Sequence, residues 1–383
     1  MKIGVLIDRL NVGGVEKTAI QEVKAAQKLG VNTELLVLSR KSVVEGAHED
    51  LLGDLPIQFL DDRLPGFLKF TFGMPGFAFF SLFHITYPII LPFFIKSREW
   101  DHIISHGSYT TLSALGIKFL RKIPFSIYFW DPIDYIVKRV YIGKFPKQLI
   151  SIYTFFGRFF DRLFVKEAEY VFVAGDTHNS YLSKYVGLDK ITVVNPGTPV
   201  GKPEKKEKHV LMVTTWKEGK HPEYVFELAR KLPGVKFKLV GGWVDSGMRR
   251  SFEKKRDKLG LDDYIELCGE ANEGQLAYYY PRAAVHLTTN LEKGFGMPVL
   301  EAAACGTVSI VPKGSGVCSV FEHGVDAFYS EERNTEEIVS YIKSMIDDMD
   351  KAKEMGLKAY NRVKESYTWE AHTKKILKKI GAM

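Results

Sequence analysis

The sequence predicts an α/β protein built from two doubly wound parallel-sheet domains. Short apolar segments that suit buried strands alternate with helical segments along most of the chain, which is typical of parallel sheets. The length of 383 residues suits two domains. A polar, charged, proline-containing stretch at 201–208, GKPEKKEK, divides the chain near its middle and is typical of a linker.

The composition is that of a globular protein with a basic balance. Hydrophobic residues make up 45% of the chain, charged residues 26%, and the formal net charge is +7. This charge favours an anionic partner such as a nucleotide or an anionic lipid. Nucleic acid is disfavoured, because the sequence has no zinc-finger, RNA-recognition or basic-zipper signature. The three cysteines have neither metal-ligand spacing nor a disulfide pattern, and the chain begins with a strand instead of a signal peptide, so we expect a cytoplasmic protein.

The first half opens with a βαβ unit. A buried strand over residues 2–7 leads into a loop that ends in Gly13 and Gly14, and a helix over 15–29 precedes a strand over 32–37. A tight turn by itself would explain the glycine pair. The dinucleotide fingerprint G-x-G-x-x-G is absent, which argues against a nicotinamide-dependent enzyme.

Further strands follow in the first half, each with a helical or turn segment after it. Ligands of a doubly wound sheet bind at the carboxyl ends of its strands. His106 and Asp131 close two of these strands and are therefore candidates for substrate contact, the alternative being a capping or strand-end role. The predicted strands cover residues 101–106, 124–130, 170–174 and 191–194.

Residues 64–98 form an aromatic segment that we predict to face a membrane. Residues 70–95 carry no formal charge and are rich in phenylalanine. The stretch is long enough to span a bilayer, but prolines and glycines interrupt it, so we expect a helical hairpin or an amphipathic surface in the membrane interface. Basic residues flank it and alternate with phenylalanines over residues 144–166, a pattern that suits an anionic lipid surface. The alternative is that both stretches simply cover the sheet.

The second half repeats the alternation. We therefore expect domains over residues 1–200 and 201–366, followed by a terminal helix over 367–383. The predicted strands cover 209–214, 236–240, 284–288 and 307–311, and the predicted helices cover 223–232, 273–280, 335–349 and 351–365.

The most informative segment is EKGFGMPVLEAAACGTVSIV, residues 292–311. A glycine-rich turn over 294–296 leads into Pro298, which suits the first position of a helix, and Gly306 ends that helix. Free backbone N–H groups and the positive end of the helix dipole make such a turn a site for an anion such as pyrophosphate. Glu301 lies one turn inside the helix and can accept hydrogen bonds from a sugar or a ribose.

This segment resembles the donor-binding signature of the retaining glycosyltransferases of GT-B fold, in particular family 4. The family pattern is Glu, seven residues, Glu, with glycine, phenylalanine, glycine and proline between them. In the frame set by Glu301, Lys293 takes the place of the first glutamate, and Glu292 stands one residue early. Lys220 matches a lysine that grips the donor pyrophosphate in the family. Thr215 stands in place of the family's arginine, for which the nearby Lys217 is a substitute, and Trp130 stands in place of a histidine.

The resemblance implies two Rossmann-like domains that face a central cleft, with the terminal helix crossing back to the N-terminal domain. It also implies transfer of a sugar, with retention, from a UDP- or GDP-linked donor, without an obligatory metal or cofactor. Together with the aromatic segment, it predicts a lipid-linked glycan or other membrane-associated acceptor and a peripheral location on the inner face of the cell membrane. The predicted catalytic residues are His106, Asp131, Lys220, Glu292 and Lys293, and the predicted donor-binding residues are Gly13, Gly14, Lys217, Lys220, Gly294, Phe295, Gly296, Met297, Pro298, Val299 and Glu301.

Three alternatives stay open at this point. The departures at Lys293, Thr215 and Trp130 are compatible with an inactive protein that binds a nucleotide sugar or a partner, because fold alone does not establish activity. A nucleotide-sugar epimerase would need acids and histidines around the donor that the sequence does not reveal. A non-enzymatic membrane-interaction protein would leave the phosphate-type loops unexplained.

Overall fold

The chain forms two compact units in the computed structural model. One unit comprises Met1–Pro196 together with Trp369–Met383, and the other comprises Gly197–Thr368. The structure describes residues 1–10, 13–40, 49–68, 82–96, 98–141, 145–176, 179–290 and 295–383.

The first unit is built on a seven-stranded sheet in which all pairings are parallel. The strand order is β3-β2-β1-β4-β5-β6-β7, so the chain reverses its direction of travel across the sheet between β1 and β4. This order is that of a doubly wound fold and confirms the predicted architecture. The strands are β1 (Lys2–Ile7), β2 (Asn32–Val37), β3 (Ile57–Phe59), β4 (His102–His106), β5 (Phe125–Phe129), β6 (Val171–Val173) and β7 (Ile191–Val193).

Helices flank this sheet, and the last helix of the chain belongs to the same unit. The central strands are buried along almost their whole length because both of their faces are covered. The helices are α1 (Gly14–Lys28), α2 (Glu49–Leu52), α3 (Leu82–Phe94), α4 (Ser108–Arg121), α5 (Ile133–Tyr141), α6 (Lys147–Glu167), α7 (Asn179–Leu182) and the C-terminal α14 (Trp369–Lys379).

Most of the described part of the aromatic segment is the helix α3, which packs on α4. Leu91 and Ile95 are fully buried in the core of the first unit, whereas Ile89 and Phe93 are exposed. A Cβ atom at Gly116 of α4 would lie 2.6 Å from the ring of Pro92, so the glycine allows the close approach of the two helices. Residues 69–81 and 97 of the segment lie outside the described residues. Residues 88–95 therefore both cover the core and present an apolar outer side.

Glu22 of α1 is buried between two histidines. Its Oε2 lies 2.9 Å from Nε2 of His106 at the end of β4, and its Oε1 lies 2.7 Å from Nε2 of His372 on α14. Nδ1 of His372 lies 2.7 Å from the carbonyl oxygen of Asn195, so both ring nitrogens of His372 face oxygen acceptors. Burial raises the pKa of Glu22, but the charges and hydrogen bonds of the histidines outweigh it and lower the pKa to about 2. A buried ion pair thus ties α14 to α1.

The second unit is built on a six-stranded sheet that is also parallel throughout. Its order is β10-β9-β8-β11-β12-β13, with the reversal between β8 and β11, which confirms a second Rossmann-like domain. The strands are β8 (Glu207–Val213), β9 (Lys236–Val240), β10 (Ile265–Gly269), β11 (Ala283–Leu287), β12 (Ser309–Pro312) and β13 (Ala327–Ser330). The helices are α8 (Tyr224–Lys231), α9 (Ser246–Lys258), α10 (Glu273–Arg282), α11 (Met297–Ala304), α12 (Thr335–Asp347) and α13 (Met349–Ser366).

The stretch predicted as a polar linker, residues 201–208, is attached to the second unit. β8 already begins at Glu207, and the Lys206 ammonium donates to the Pro281 carbonyl oxygen at 2.8 Å and to the Thr307 hydroxyl at 2.6 Å. Burial lowers the pKa of Lys206 to about 7. The predicted linker therefore ends two residues earlier than expected, because Glu207 and Lys208 already belong to β8.

Removal of the buried carboxylate should destabilise the protein far more than removal of an exposed one between the same helices. We expect Glu22→Ala to lower the free energy of unfolding by about 3–5 kcal/mol, because it leaves His372 buried without its anionic partner. Glu370→Ala, which removes a solvent-exposed ion pair between Lys28 and Glu370 at 3.2 Å, should cost at most about 1 kcal/mol. Urea denaturation at pH 7 measures both changes.

The difference in the free energy of unfolding between the wild type and Glu22→Ala should decrease as the pH falls. Because folding lowers the pKa of Glu22 from 4.5 to about 2, its contribution is complete above pH 4.5 and is lost as the pH falls towards 2. The gap between the wild type and Glu22→Ala should therefore narrow in acid. Equal destabilisation by the two variants at pH 7, or a gap that widens in acid, would contradict the ion pair.

Candidate functional site

A crevice lies where the second sheet reverses its strand order, between the carboxyl ends of β8 and β11. This is the position at which open α/β sheets bind ligands, because the connections leave in opposite directions on the two sides. Its walls come from the end of β8 with the loop that follows, and from the end of β11. The lining residues are Met212, Val213, Thr214, Trp216, Lys220, Leu287, Thr288, Thr289 and Asn290.

Two polar atoms in the crevice walls are buried without a hydrogen-bond partner among the described residues. They are Nε1 of Trp216, whose side chain is 1% exposed, and Oδ1 of Asn290, whose side chain is 8% exposed. Buried polar atoms are nearly always paired in folded proteins, so an unpaired N–H donor and an unpaired acceptor in one crevice indicate a place for a polar ligand. Sequence analysis missed both residues.

The loop after β8 carries Lys220 along the crevice. The Thr214 amide donates to the Val240 carbonyl oxygen at 3.1 Å and the Trp216 amide to that of Gly242 at 2.8 Å, so the loop continues to pair with the end of β9. Gly241 has a φ of 130°, and a Cβ atom there would collide with the carbonyl oxygen of Thr214. The close path of the loop thus requires this glycine.

Lys217, predicted to assist Lys220, lies in the wall of a different pocket of the second unit. Lys220 ends a short 3₁₀ turn over Glu218–Lys220. The turn directs the two lysines to different pockets, and donor binding by Lys217 stays a prediction.

The helix α11 begins at the same edge of the sheet, because it follows β11. Gly296 adopts a left-handed φ of 102° before the helix, and Pro298 stands in its first turn, one residue later than the first position. Phe295 is buried, and its carbonyl oxygen accepts a hydrogen bond from the Val317 amide at 2.8 Å. The Val299 amide donates to the Gly296 carbonyl oxygen at 3.0 Å, so this amide is used inside the turn.

Three predicted residues of this turn, Glu292, Lys293 and Gly294, lie outside the described residues. Met297 and Pro298 are half-buried at the start of α11. The N-terminus of the helix offers the positive end of a dipole to an anion, as predicted. Donor contacts by the residues of the turn stay predictions.

Glu301 is held in place by a tyrosine that the sequence did not single out. The hydroxyl of Tyr280, at the end of α10, donates to Oε2 of Glu301 at 2.8 Å. Burial and the charge of Glu301 raise the pKa of Tyr280 well above its usual range, so the phenol remains a donor at neutral pH. One carboxylate oxygen of Glu301 is thereby fixed.

In the first unit, the glycine pair precedes α1 and leaves room for an acid. Gly13 is the N-cap of α1 with extended backbone, and a Cβ atom there would collide with Oε2 of Glu16. Burial raises the pKa of Glu16 to about 7. No close neighbour constrains Gly14 among the described residues. The first unit therefore carries an acid that titrates near neutrality at the carboxyl edge of β1, a residue that sequence analysis did not select.

His106 and Asp131 occupy different environments at the first sheet. His106 is buried, stacks on Tyr128 with ring centroids 5.2 Å apart, and uses Nε2 for Glu22. The indole N–H of Trp130 points to Nδ1 of His106 at 3.4 Å. Asp131 is half-buried directly after β5. A catalytic role for either residue stays a prediction.

Comparison with known proteins finds a family model that resembles the second unit. Residues 199–362 match the family model described as Glycosyl transferases group 1. A sucrose synthase of Melioribacter roseus is 27% identical over 157 residues, which are 36% of this chain and 20% of that protein. A phosphatidylinositol N-acetylglucosaminyltransferase subunit of Arabidopsis thaliana is 26% identical over 148 residues, which are 39% of this chain and 32% of that protein. The matched segments thus span a third or less of these relatives.

A solved structure with the same fold covers the whole chain. The crystal structure of Anabaena HepE in complex with UDP and glucose superposes with a TM-score of 0.73 at 15% identity, over 100% of both chains. At this identity the likeness concerns the fold. Residues 199–362 are therefore similar to the group 1 glycosyl transferases, and the chain as a whole has the GT-B fold, in agreement with the resemblance to family 4 glycosyltransferases.

Proposed function

We propose that the protein is a retaining glycosyltransferase that moves a sugar from a UDP- or GDP-linked donor to an acceptor. The observation that carries the proposal is the crevice between β8 and β11, which lies inside the matched family domain. The crevice has a volume of about 10 Å³, so its unpaired donor and acceptor suit a single polar group of a nucleotide, and Lys220 in its wall suits a diphosphate. The UDP named in the HepE structure and the acetylglucosaminyl transfer named for the Arabidopsis relative support this donor class.

The chemistry requires stabilisation of a leaving diphosphate. As the bond to the sugar breaks, negative charge grows on the leaving oxygen and the sugar acquires oxocarbenium-like character. A fixed cation and a helix N-terminus stabilise that charge without reorganisation. In this proposal Lys220 and the start of α11 bind the diphosphate, and Glu301, oriented by Tyr280, binds the ribose. No obligatory metal is proposed.

An apolar outer surface of the first unit supports a membrane-associated acceptor. Five exposed apolar side chains recur at helical spacing on α6, with Phe155 68% exposed, and exposed apolar side chains on α3 and α4 extend the surface, which we name the aromatic face. Arg162 and Lys166 follow on the same side of α6, and both are exposed. The aromatic face comprises Leu149, Ile152, Phe155, Phe156 and Phe159 of α6, Phe119 and Leu120 of α4, and Ile89 and Phe93 of α3.

We infer that the aromatic face binds the surface of an anionic membrane, such as the inner face of the cell membrane. Exposed apolar side chains at helical spacing, followed along the helix by basic residues, are typical of interfacial binding. None of the helices in the described ranges has the length and apolar character needed to cross a bilayer. The Arabidopsis relative is named for action on phosphatidylinositol, which supports a lipid-linked acceptor for this chain.

Loss of the crevice lysine should abolish most transfer without loss of folding. We expect Lys220→Ala to lower kcat/KM about 10²–10³-fold, the usual effect of removing one stabiliser of a developing anion. Lys236→Ala, at the opposite end of β9 and exposed, removes an equal charge and should leave transfer unchanged. Mass spectrometry of lipid products with a panel of UDP- and GDP-sugars measures the reaction. If UDP or GDP binds but neither transfer nor donor hydrolysis occurs with any donor, the protein is an inactive binder.

Membrane binding should depend on the aromatic face. We expect the double variant Phe155→Ser/Phe159→Ser to reduce co-sedimentation with vesicles containing anionic lipid at least about fivefold, because each phenylalanine contributes buried apolar area. Leu188→Ser, an exposed apolar residue outside the aromatic face, is the control. Binding to purely zwitterionic vesicles should be weaker than to anionic ones. Equal binding of wild type and double variant would exclude the aromatic face as the contact.

A further inference from the structure

The second unit contains a pocket separate from the crevice, between the N-termini of α8 and α9 and the turn before α12. We call it the α8–α9 pocket. Its volume is about 980 Å³, at the upper end of the range typical of small-molecule sites. It shares no lining residue with the crevice. The residues that line it are Lys217, His221, Pro222, Glu223, Tyr224, Val244, Asp245, Gly247, Met248, Ser251, Phe252 and Arg333.

Nitrogen-bearing side chains that can donate hydrogen bonds line part of the pocket. Arg333, His221 and Lys217 all lie in its wall. The two acids of the pocket are already engaged: Glu223 pairs with Lys255 at 2.6 Å, and Asp245 accepts from the Gly247 amide at 2.6 Å. The described residues form no ion pair with Arg333 or His221. An anion entering the pocket would therefore meet uncompensated donors at these two residues.

Arg333 and His221 also have an unusual backbone conformation. Their φ angles are 58° and 46°, in the left-handed region that disfavours side chains with a Cβ atom. Only three non-glycine residues of the described chain adopt a positive φ, and two of them line this pocket. Such conformations cost free energy and cluster at ligand-binding sites.

The opposite wall of the pocket is aromatic. Phe252 is buried, stacks on Phe226 at 4.6 Å between ring centroids, and lies 5.2 Å from Trp243, which in turn stacks on Trp216 of the crevice at 5.8 Å. These neighbours cover Phe252, so the partly exposed Tyr224 is the lining ring that is accessible to a ligand. The pocket therefore joins a cationic side to an aromatic side.

We propose that the α8–α9 pocket binds a phosphorylated small molecule with a sugar-like ring. The phosphate lies at Arg333 and His221, where a guanidinium binds two phosphate oxygens in its fork, and Lys217 adds a third donor. The ring lies against Tyr224. This site is distinct from the crevice of the proposed donor and does not depend on its function.

Binding can be tested by titration calorimetry with glucose 6-phosphate, inorganic phosphate and glucose as probes. Glucose 6-phosphate should bind saturably, inorganic phosphate more weakly because it leaves the aromatic wall empty, and glucose not measurably. Arg333→Asn and His221→Asn should each weaken glucose 6-phosphate binding about tenfold. Asparagine tolerates a positive φ, so these variants remove the donor groups and keep the backbone.

The chain offers a matched control in Lys122, the third non-glycine residue with a positive φ, at 58° in the first unit. Lys122→Asn should leave binding of glucose 6-phosphate unchanged. UDP should not displace the sugar phosphate, and the affinity for UDP should be the same in Arg333→Asn and wild type, which separates this site from the crevice. The proposal is overturned if no probe binds saturably, if UDP competes, or if Lys122→Asn weakens binding as much as Arg333→Asn does.

Discussion

The parallel pairing of β8 with β11 is the constraint on which the candidate site depends. These two strands are adjacent in the sheet but far apart in sequence, and the chain travels outward from them in opposite directions. Because right-handed crossovers carry the connections to opposite sides, a gap remains at the carboxyl ends of the pair. The loop that bears Lys220 starts at one side of this gap, and the segment that leads to α11 starts at the other. Gly241 then determines how closely the first loop follows the sheet.

Local sequence chemistry was sufficient for the architecture and for part of the site. Alternating strands and helices predicted both doubly wound sheets, and Gly296 and Pro298 predicted the start of α11, because turn and helix-start preferences depend on adjacent residues. Glu301 could be selected from its distance to that start. Its orientation could not, because Tyr280 stands 21 residues earlier and contacts it only in the folded domain. Trp216 and Asn290 are informative only through burial, which residue type does not report.

Long-range contacts explain why the environments of other residues could not be predicted from the sequence. His106 was selected because it ends a strand, yet its environment is determined by Glu22, 84 residues earlier, which in turn binds His372, 350 residues later. Likewise, the charge of Lys206 indicated solvent, whereas the fold surrounds its ammonium with acceptors from two other segments. Sequence reasoning assigns a charged side chain to the surface. Only the tertiary structure shows which charged side chains are buried with a partner.

The hydrogen bonds of Lys206 belong to a longer chain of polar contacts that reaches Glu301. Its ammonium donates to the Thr307 hydroxyl, that hydroxyl donates to the main-chain oxygen of Tyr280 at 2.5 Å, and the phenol at the other end of the same tyrosine grips Glu301. Thr307 and Tyr280 thus connect Lys206, at the amino edge of the second sheet, to the Glu301 carboxylate that is proposed to hold the ribose. A displacement of the backbone at Lys206, where the chain enters this unit, would therefore reach the proposed ribose site through these three hydrogen bonds, while the sheet stays rigid.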